Sequence, residues 1–289
     1  MMNLMNEYSK IIEVAIRSPM SSFINDKKIT NEWESLRFHS KPDLKKAISE
    51  YNYFKGLLEE DKIKIIDLPP SDKLTLDSIY TRDSILLSKS GLILCNMGRS
   101  TRTPEANENF KTLADKGYKI AGQIKSPGTL EGGDFIWIDD ENAAVGLGPR
   151  TNSEGIRQLK KILGSKINLK VVNLPDPDHP DDVLHLMSII SPLDKNLAVI
   201  YKPLIPESFL NWLTNLGIEF VEVSEAEYPL MGCNILATAP RSIIMLENLP
   251  LLKNKLKKAG CKIRTYKGNE ISRKGEGGPT CLTRPLIRN

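Results

Sequence analysis

The 289-residue chain is predicted to adopt an α/β fold built from one repeated unit. Amphipathic helical patterns recur along the chain, an apolar strand-like stretch follows each of them, and further pairs of apolar strands lie between these units. A unit of roughly 40–60 residues that recurs about five times is typical of a circular array or a solenoid. An α/β sheet without internal symmetry is the alternative that this pattern leaves open.

The first predicted helix, residues 43–60, shows the pattern clearly. Its apolar side chains recur at helical spacing: Leu44, Ala47, Ile48, Tyr51, Phe54 and Leu58. A strand-like stretch follows at 62–68. The same order recurs with predicted helices at 104–116, 153–163, 206–216 and 248–259. A glycine directly follows each of these later helices, which predicts a left-handed C-cap at Gly117, Gly164, Gly217 and Gly260.

The other apolar segments come in pairs and are predicted to be neighbouring strands. The pairs are 84–89 with 91–96, 134–138 with 143–147, 183–190 with 197–201, and 233–238 with 242–246. No linker rich in proline, glycine and serine divides the chain. Residues 1–289 are therefore predicted to form a single domain.

Composition excludes several classes of protein. The net charge of +4, from 40 Lys and Arg against 36 Asp and Glu, is too small to indicate a nucleic-acid or membrane-surface partner. No apolar run reaches the ~18–20 residues of a membrane span, and the N-terminus lacks the features of a signal peptide. The four cysteines follow no disulfide or CxxC spacing, so we expect a cytoplasmic location, with Cys95, Cys233 and Cys261 as core residues.

Three histidines limit the choice of a general base. His39 lies in a polar segment before the first helix, and His179 lies in a turn rich in proline and aspartate. His185 stands in an apolar run that is predicted to be a buried strand. A single histidine on such a strand is more often a hydrogen-bonded core residue than a catalytic one.

A glycine-rich segment leads to Cys281. Three glycines and a proline precede it in 275–286, which frees the backbone for an unusual path and leaves the thiol accessible for attack. A buried cysteine behind an ordinary loop is the alternative.

Two further segments place carboxylates beside apolar strands. In 129–139, Glu131 and Asp134 flank two glycines that would admit a substrate, although a capped polar turn is the plainer interpretation. In 77–84, Asp77 and Asp83 are spaced to share one face of an extended chain. They suit a cationic ligand, or they pair with Arg82 or with surface lysines.

Four motifs occur along the chain in the order 77–84, 129–139, the strand-like run with His185, and 275–286. Together and in this order they resemble the guanidino-group modifying (pentein) superfamily. This superfamily includes dimethylarginine dimethylaminohydrolase, arginine deiminase and the amidinotransferases. The resemblance covers about residues 10–287 and implies a five-bladed pseudo-symmetric α/β propeller. It also implies a small guanidino amino acid as substrate, with no cofactor and no metal, and leaves homodimer formation open.

The resemblance implies a role for each motif residue. Cys281 would attack the guanidinium carbon, His185 would serve as acid and base, and Glu131 would orient and charge His185. The expected substrate-binding residues are Asp83 and Asp77 for the guanidinium and Arg102 and Arg150 for the α-carboxylate. Residues 18–30 lie where the superfamily carries a lid.

The dimethylargininase branch is the nearest match. Arginine deiminases and amidinotransferases usually carry an aspartate two residues after the histidine, where this chain has Met187. The chain length also fits the compact branch. Arg82, by contrast, resembles the deiminase and amidinotransferase pattern. A dimethylargininase-like hydrolase is therefore expected, with arginine deiminase and amidinotransferase as alternatives. The non-enzymatic alternative is a ribosome-associated factor of the same fold, which would lack the catalytic set.

Overall fold

The computed structural model describes residues 3–175 and 184–289. The strands are Ile11–Ile16 (β1), Lys64–Asp67 (β2), Ile85–Ser88 (β3), Gly91–Leu94 (β4), Ile120–Gln123 (β5), Phe135–Trp137 (β6), Asn142–Leu147 (β7), Asn168–Asn173 (β8), Ile190–Asp194 (β9), Leu197–Ile200 (β10), Glu219–Glu222 (β11), Leu236–Ala239 (β12), Ser242–Leu246 (β13), Lys262–Tyr266 (β14) and Arg284–Arg288 (β15). The α-helices are Pro19–Ser22 (α1), Asp26–Glu32 (α2), Leu44–Glu60 (α3), Glu105–Asp115 (α4), Ser153–Leu163 (α5), Glu207–Asn215 (α6) and Pro250–Lys258 (α7).

In the described residues the strands form five small sheets of three strands each. Each sheet holds an antiparallel pair and a third strand that runs parallel to the middle one, as in β3-β4-β5 and β6-β7-β8. A helix connects the middle strand to its parallel neighbour, because a parallel connection needs a long crossover. The unit is therefore strand, strand, helix, strand, and the predicted repeat of α/β units is present.

The first sheet differs in how the chain builds it. Its order is β15-β1-β2, so the last strand of the chain pairs with the first one. Ile11 lies opposite Arg288 at one end of this antiparallel ladder, and Ala15 lies opposite Arg284 at the other. The two ends of the chain thus complete one sheet.

The predicted helices match the observed ones closely, and their ends show why. Asp43 caps α3 by accepting a hydrogen bond from the Lys46 amide, and Asn152 caps α5 in the same way from the Gly155 amide. The glycine after each later helix has a positive φ, between 77° and 89°: Gly117, Gly164, Gly217 and Gly260. Gly164, with a ψ of 170°, is more extended than the left-handed C-cap that was predicted there.

Four clusters of buried apolar side chains lie between the sheets and their helices. The largest cluster joins β1, α3 and β13, with Phe54 and Tyr266 in ring contact at a centroid distance of 4.9 Å. Cys95, Cys233 and Cys261 are free and buried, so their prediction as core residues is confirmed. No helix in the described part of the chain is long and apolar enough to cross a membrane.

The prediction of a strand over 183–190 is wrong. The strand β9 begins only at Ile190, and a short 3-10 turn, Leu186–Ser188, comes before it. Side chains occupy the backbone donors that a strand would use, because Asp134 accepts from the Leu186 amide at 3.0 Å and Ser188 accepts from the His185 amide at 3.3 Å. Position 183 and His179, with its predicted turn, lie outside the described residues.

Candidate active site

One cavity brings together six of the seven predicted site residues. Its walls include Asp77, Asp83, Arg102, Arg150, His185 and Cys281. The seventh residue, Glu131, is fully buried behind His185. The cavity has a volume of about 40 Å³, which suits the flat end of a side chain. A larger cavity of about 350 Å³ shares Ser188, Asn234 and Glu276 with it.

Cys281 follows the glycine-rich loop and is partly exposed to this cavity. The Asn234 side chain donates from Nδ2 to Sγ of Cys281 at 3.2 Å. Its Oδ1 accepts from the amide and the hydroxyl of Thr280, at 3.0 and 2.7 Å, and thereby fixes the backbone beside the thiol. Burial and the nearby Asp83 raise the pKa of the Cys281 thiol, while the Asn234 hydrogen bond opposes that change.

His185 and Glu131 form a buried pair. Nε2 of His185 lies 2.8 Å from Oε2 of Glu131. Burial alone would lower the pKa of His185, but Asp134, Asp83 and Glu131 outweigh it and raise this pKa to about 9. The same pairing lowers the pKa of Glu131 even though burial favours its neutral form. Imidazolium and carboxylate are therefore the stable forms at neutral pH.

A missing side chain at Gly133 lets His185 and Asp83 approach each other. A Cβ atom at this position would lie 2.5 Å from Nδ1 of His185 and 2.9 Å from Oδ1 of Asp83. Any larger residue would therefore push one of these groups away. Glycine is therefore required at position 133, the second of the two glycines between Glu131 and Asp134, for His185 and Asp83 to pack as they do.

Asp83 has one oxygen held and one oxygen free of hydrogen bonds to the described residues. Oδ2 accepts from Nη1 of Arg102 at 2.7 Å, whereas Oδ1 is buried without a protein partner. Arg102 is fixed in turn by the Glu105 carboxylate, at 2.7 and 2.8 Å, and by the Tyr80 carbonyl at 2.9 Å. Asp83 thus presents one carboxylate oxygen to a ligand.

Asp77 lies in the same cavity and pairs with Arg99, whose Nη1 lies 3.0 Å from Asp77 Oδ2. Burial raises the pKa of Asp77, with the charges of Arg102 and Arg99 acting against it. Arg150 Nη1 lies 3.5 Å from Oε1 of Glu131 and faces the cavity as well. The cavity is thus lined by both carboxylates and guanidinium groups.

Arg82 is the residue that resembles the deiminase and amidinotransferase pattern. Its side chain binds Thr280 and Glu7. Its Nε donates to the Thr280 carbonyl at 3.0 Å, and its Nη1 lies 3.0 Å from the Glu7 carboxylate. Arg82 therefore supports the cysteine loop from behind.

The segment expected to act as a lid, residues 18–30, does not line this cavity. It forms α1 and α2, and it inserts Phe23 and Ile29 fully into the core. Gly275, Glu276 and Gly277 stand at the cavity wall instead.

The sequence did not single out several residues of this site. Arg99 and Glu105 lie within the GRSTRTPE segment beside Arg102, where their charge was visible but their partners were not. Asn234 belongs to no motif, and only the fold brings it to Cys281, which is far away in sequence. Asp134 was considered in the sequence together with Glu131. In the structure its carboxylate accepts hydrogen bonds from the Leu186 amide and the Thr151 hydroxyl.

Three side chains that could bind a metal ion lie close together in this site. Donor atoms of Asp83, Glu131 and His185 lie within 4.8 Å of one another. However, Asp83 already accepts from Arg102, and Glu131 is bonded to His185, whose pKa of about 9 favours the protonated ring. A planar organic cation fits this donor set better, because it needs only the free oxygen of Asp83.

The sequence is similar to those of known enzymes. The chain is 26% identical to the N(G),N(G)-dimethylarginine dimethylaminohydrolase of Pseudomonas aeruginosa over 244 residues, which cover 84% of this chain and 89% of that protein. It is 24% identical to the arginine deiminase of Listeria welshimeri, over 99% of this chain and 77% of that protein.

Solved structures share the fold. A cysteine-to-serine mutant of the Pseudomonas aeruginosa enzyme, in complex with citrulline, superimposes with a TM-score of 0.77 at 23% identity and covers 96% of this chain and 100% of its own. The N-terminal domain of a cyanobacterial arginine dihydrolase, bound to its product, gives a TM-score of 0.81 at 20% identity and covers 96% and 98%.

Fold and site together define a pentein-superfamily enzyme that hydrolyses a C–N bond of a guanidino group. The family model described as "N,N dimethylarginine dimethylhydrolase, eukaryotic" matches residues 21–288. The chain belongs to this family.

Proposed function

We propose that this protein hydrolyses an N-methylated arginine to citrulline and a methylamine through a covalent adduct on Cys281. One observation carries the proposal: Cys281, Asp83 and His185, which is paired with Glu131 behind it, line the same small cavity, and Oδ1 of Asp83 has no partner among the described residues. A guanidinium group is planar and cationic, so a buried carboxylate oxygen can hold it beside the thiol in the orientation that attack requires.

In the first half of the reaction, the substrate guanidinium binds Oδ1 of Asp83, and its charge lowers the pKa of the nearby thiol. The Cys281 thiol releases its proton to solvent, and the resulting thiolate attacks the guanidinium carbon and forms an S–C bond. Asn234 stabilises the anion through its hydrogen bond to sulfur. The C–N bond to the substituted nitrogen then breaks, and His185 gives its proton to the departing amine.

In the second half, His185 takes a proton from water, and the hydroxide attacks the S-alkylthiouronium carbon. The S–C bond breaks, citrulline leaves and the thiol is restored. Glu131 stabilises the imidazolium form before and after this exchange, as the carboxylate of a catalytic triad does. The raised pKa of His185, about 9, makes the proton available at the first step.

The identity of the substituent follows from Met187. This side chain is buried and lines the cavity where the deiminases are expected to have a second carboxylate. A thioether cannot satisfy strong N–H donors, but it packs well against methyl groups. Unmethylated arginine would leave donors unpaired, at roughly 1–3 kcal/mol each.

The α-carboxylate of the substrate is proposed to bind Arg150 together with Arg99, both of which line the cavity. Arg102 was expected to share this role, but it already donates to Glu105, to Asp83 and to the Tyr80 carbonyl. We therefore assign it the positioning of Asp83.

The proposal extends to the larger architecture. We infer that the five sheets are the blades of one propeller in a single domain, because β15 and β1 join the two ends of the chain in one blade. The cytoplasmic location and the homodimer stay predictions.

A competition experiment tests the substrate. Equal concentrations of asymmetric dimethylarginine, monomethylarginine, arginine and agmatine are incubated with the enzyme, and citrulline and the released amines are quantified. We expect the methylated arginines to show the higher kcat/KM and agmatine, which lacks the carboxylate, to react poorly. Met187→Asp should shift the preference toward arginine, whereas Met187→Leu should not.

Preferential conversion of arginine by the wild-type enzyme would favour the deiminase alternative. Transfer of the amidino group to an added amine such as glycine, without citrulline, would favour an amidinotransferase and contradict hydrolysis.

A further inference from the structure

A second, smaller cavity lies behind the catalytic one. Its volume is about 20 Å³, enough for a single water-sized particle. The N-terminal segment, the last strand β15 and the Arg82 side chain enclose it, and Arg82 lines both cavities. The catalytic mechanism makes no use of this second cavity.

The charge around this cavity is unbalanced. Arg82, Arg284 and Arg288 are 1%, 6% and 4% exposed, and Glu7 is the acidic side chain in the cavity wall. Asp83, the other carboxylate that influences Arg284, is already bound by Arg102. Three buried guanidinium groups therefore share one carboxylate, and an uncompensated buried charge is costly.

Each of the three arginines also has a nitrogen without a protein partner in the described residues. These atoms are Nη2 of Arg82, Nε of Arg284 and Nη2 of Arg288. Other donors of the same side chains are hydrogen-bonded. Arg284 donates to the Arg82 carbonyl at 2.8 Å, and Arg288 donates to the Ala237 carbonyl at 3.0 Å. Packing thus fixes the side chains while three strong donors stay unsatisfied.

Glu7 does not account for these donors. Its Oε2 accepts from Nη1 of Arg82 at 3.0 Å, but it lies 3.8 Å from Nη2 of Arg288, beyond hydrogen-bonding distance. A small acceptor beside Arg82 and one arginine of β15 would satisfy part of this set.

We propose that this cavity binds one small monovalent inorganic anion of about the size of chloride. The volume of about 20 Å³ suits a small anion better than an oxyanion such as phosphate, and the buried arginine donors would give the anion charge-assisted hydrogen bonds. The anion would stabilise the junction of β15 with the N-terminal segment. It would also steady Arg82, which supports the cysteine loop through the Thr280 carbonyl and the Cys281 carbonyl.

Bromide replaces chloride well and can be located directly. Crystals of the full chain grown from sodium bromide, with data collected at the bromine absorption edge, should show an anomalous peak in this cavity, within hydrogen-bonding distance of Arg82 and of Arg284 or Arg288. A cavity that holds only water under these conditions would overturn the proposal.

Solution measurements give an independent result. At constant ionic strength, replacing gluconate by chloride should raise the wild-type melting temperature by a few degrees along a saturating curve. Glu7→Gln removes the competing carboxylate and should lower the half-saturating chloride concentration by about tenfold or more. Arg288→Gln should lose the chloride effect, and the exposed control Arg157→Gln should retain it.

If Arg288→Gln does not fold, the wild-type and Glu7→Gln titrations decide the question. Melting temperatures that do not depend on chloride in both proteins would contradict the anion site, whatever the catalytic activity.

Discussion

Replacing Glu131 by glutamine should lower the pKa of His185 and flatten the dependence of stability on pH. Glu131 is fully buried, and its Oε2 lies 2.8 Å from Nε2 of His185. Glutamine keeps the size and one hydrogen bond but removes the negative charge. The variant therefore tests the electrostatic part of the pair and leaves the packing nearly unchanged.

The magnitude follows from the raised pKa of His185. The change from the usual 6.5 to about 9 corresponds to about 3 kcal/mol of preference for the charged imidazole in the folded protein. Asp134, Asp83 and Glu131 contribute to it together, and a single close carboxylate commonly accounts for a pKa change of about 1 to 3. Because the folded-state pKa is the higher one, this stabilisation is full below about pH 6.5 and is lost as the pH rises through 9.

Two measurements check this expectation. NMR titration of ¹⁵N-labelled histidine gives the pKa of His185, which Glu131→Gln should lower by about 1 to 3. Urea unfolding at several pH values between 6 and 10 should show a steeper loss of stability in the wild type than in the variant. Glu154→Gln, which removes a partly exposed carboxylate on α5 far from His185 in the sequence, is the control and should behave like the wild type. A wild-type pKa of His185 near 6.5, or equal slopes for both proteins, would refute the reasoning.

Three further variants, with one core variant as a control, probe the other parts of the site. Cys281→Ser should abolish turnover and keep the fold by circular dichroism. The core variant Cys95→Ser should instead lower the melting temperature and keep most of the activity. Turnover by Cys281→Ser would exclude Cys281 as the nucleophile. Asn234→Ala should slow alkylation of Cys281 by iodoacetamide at neutral pH by about tenfold or more, since a charge-assisted hydrogen bond is worth about 1.5–3 kcal/mol, and an unchanged rate would contradict its role. Gly133→Ala should lower kcat by more than tenfold, because its Cβ would meet His185 and Asp83, while a wild-type kcat would show that the two groups have room to move.

The repeated helices were predictable because each carries a local signal. The amphipathic pattern and the closing glycine located α5 at 153–163, where the structure has it. β1 and β15 were not predicted, since their pairing joins the two ends of the chain and no neighbouring segment announces it. The error over 183–190 arose because an apolar run also suits a buried 3-10 turn when polar side chains from elsewhere take up its backbone donors.

The residues of the candidate site likewise include some that could be predicted from the sequence and some that could not. Residues in compact motifs, such as Glu131 and Cys281, could be selected from the sequence, and the structure places them around one cavity or directly behind it. Partners that come from other segments could not, because Asn234 reaches Cys281 only through the packing of the β12 segment against the cysteine loop. The saturation of Arg102 by Glu105 likewise depends on side-chain geometry that spacing does not reveal.

Asp83 explains how substrate binding and the chemical step are linked. In the free protein its charge raises both the pKa of the Cys281 thiol and the pKa of His185, so the thiol stays protonated and the imidazole stays charged. A guanidinium bound to Oδ1 neutralises this charge and adds a positive one beside the sulfur. Both effects lower the pKa of Cys281, so the thiolate forms only where its electrophile is already in place. A buried carboxylate oxygen without a protein partner costs stability in the free protein, and the bound cation recovers it when the nucleophile is needed.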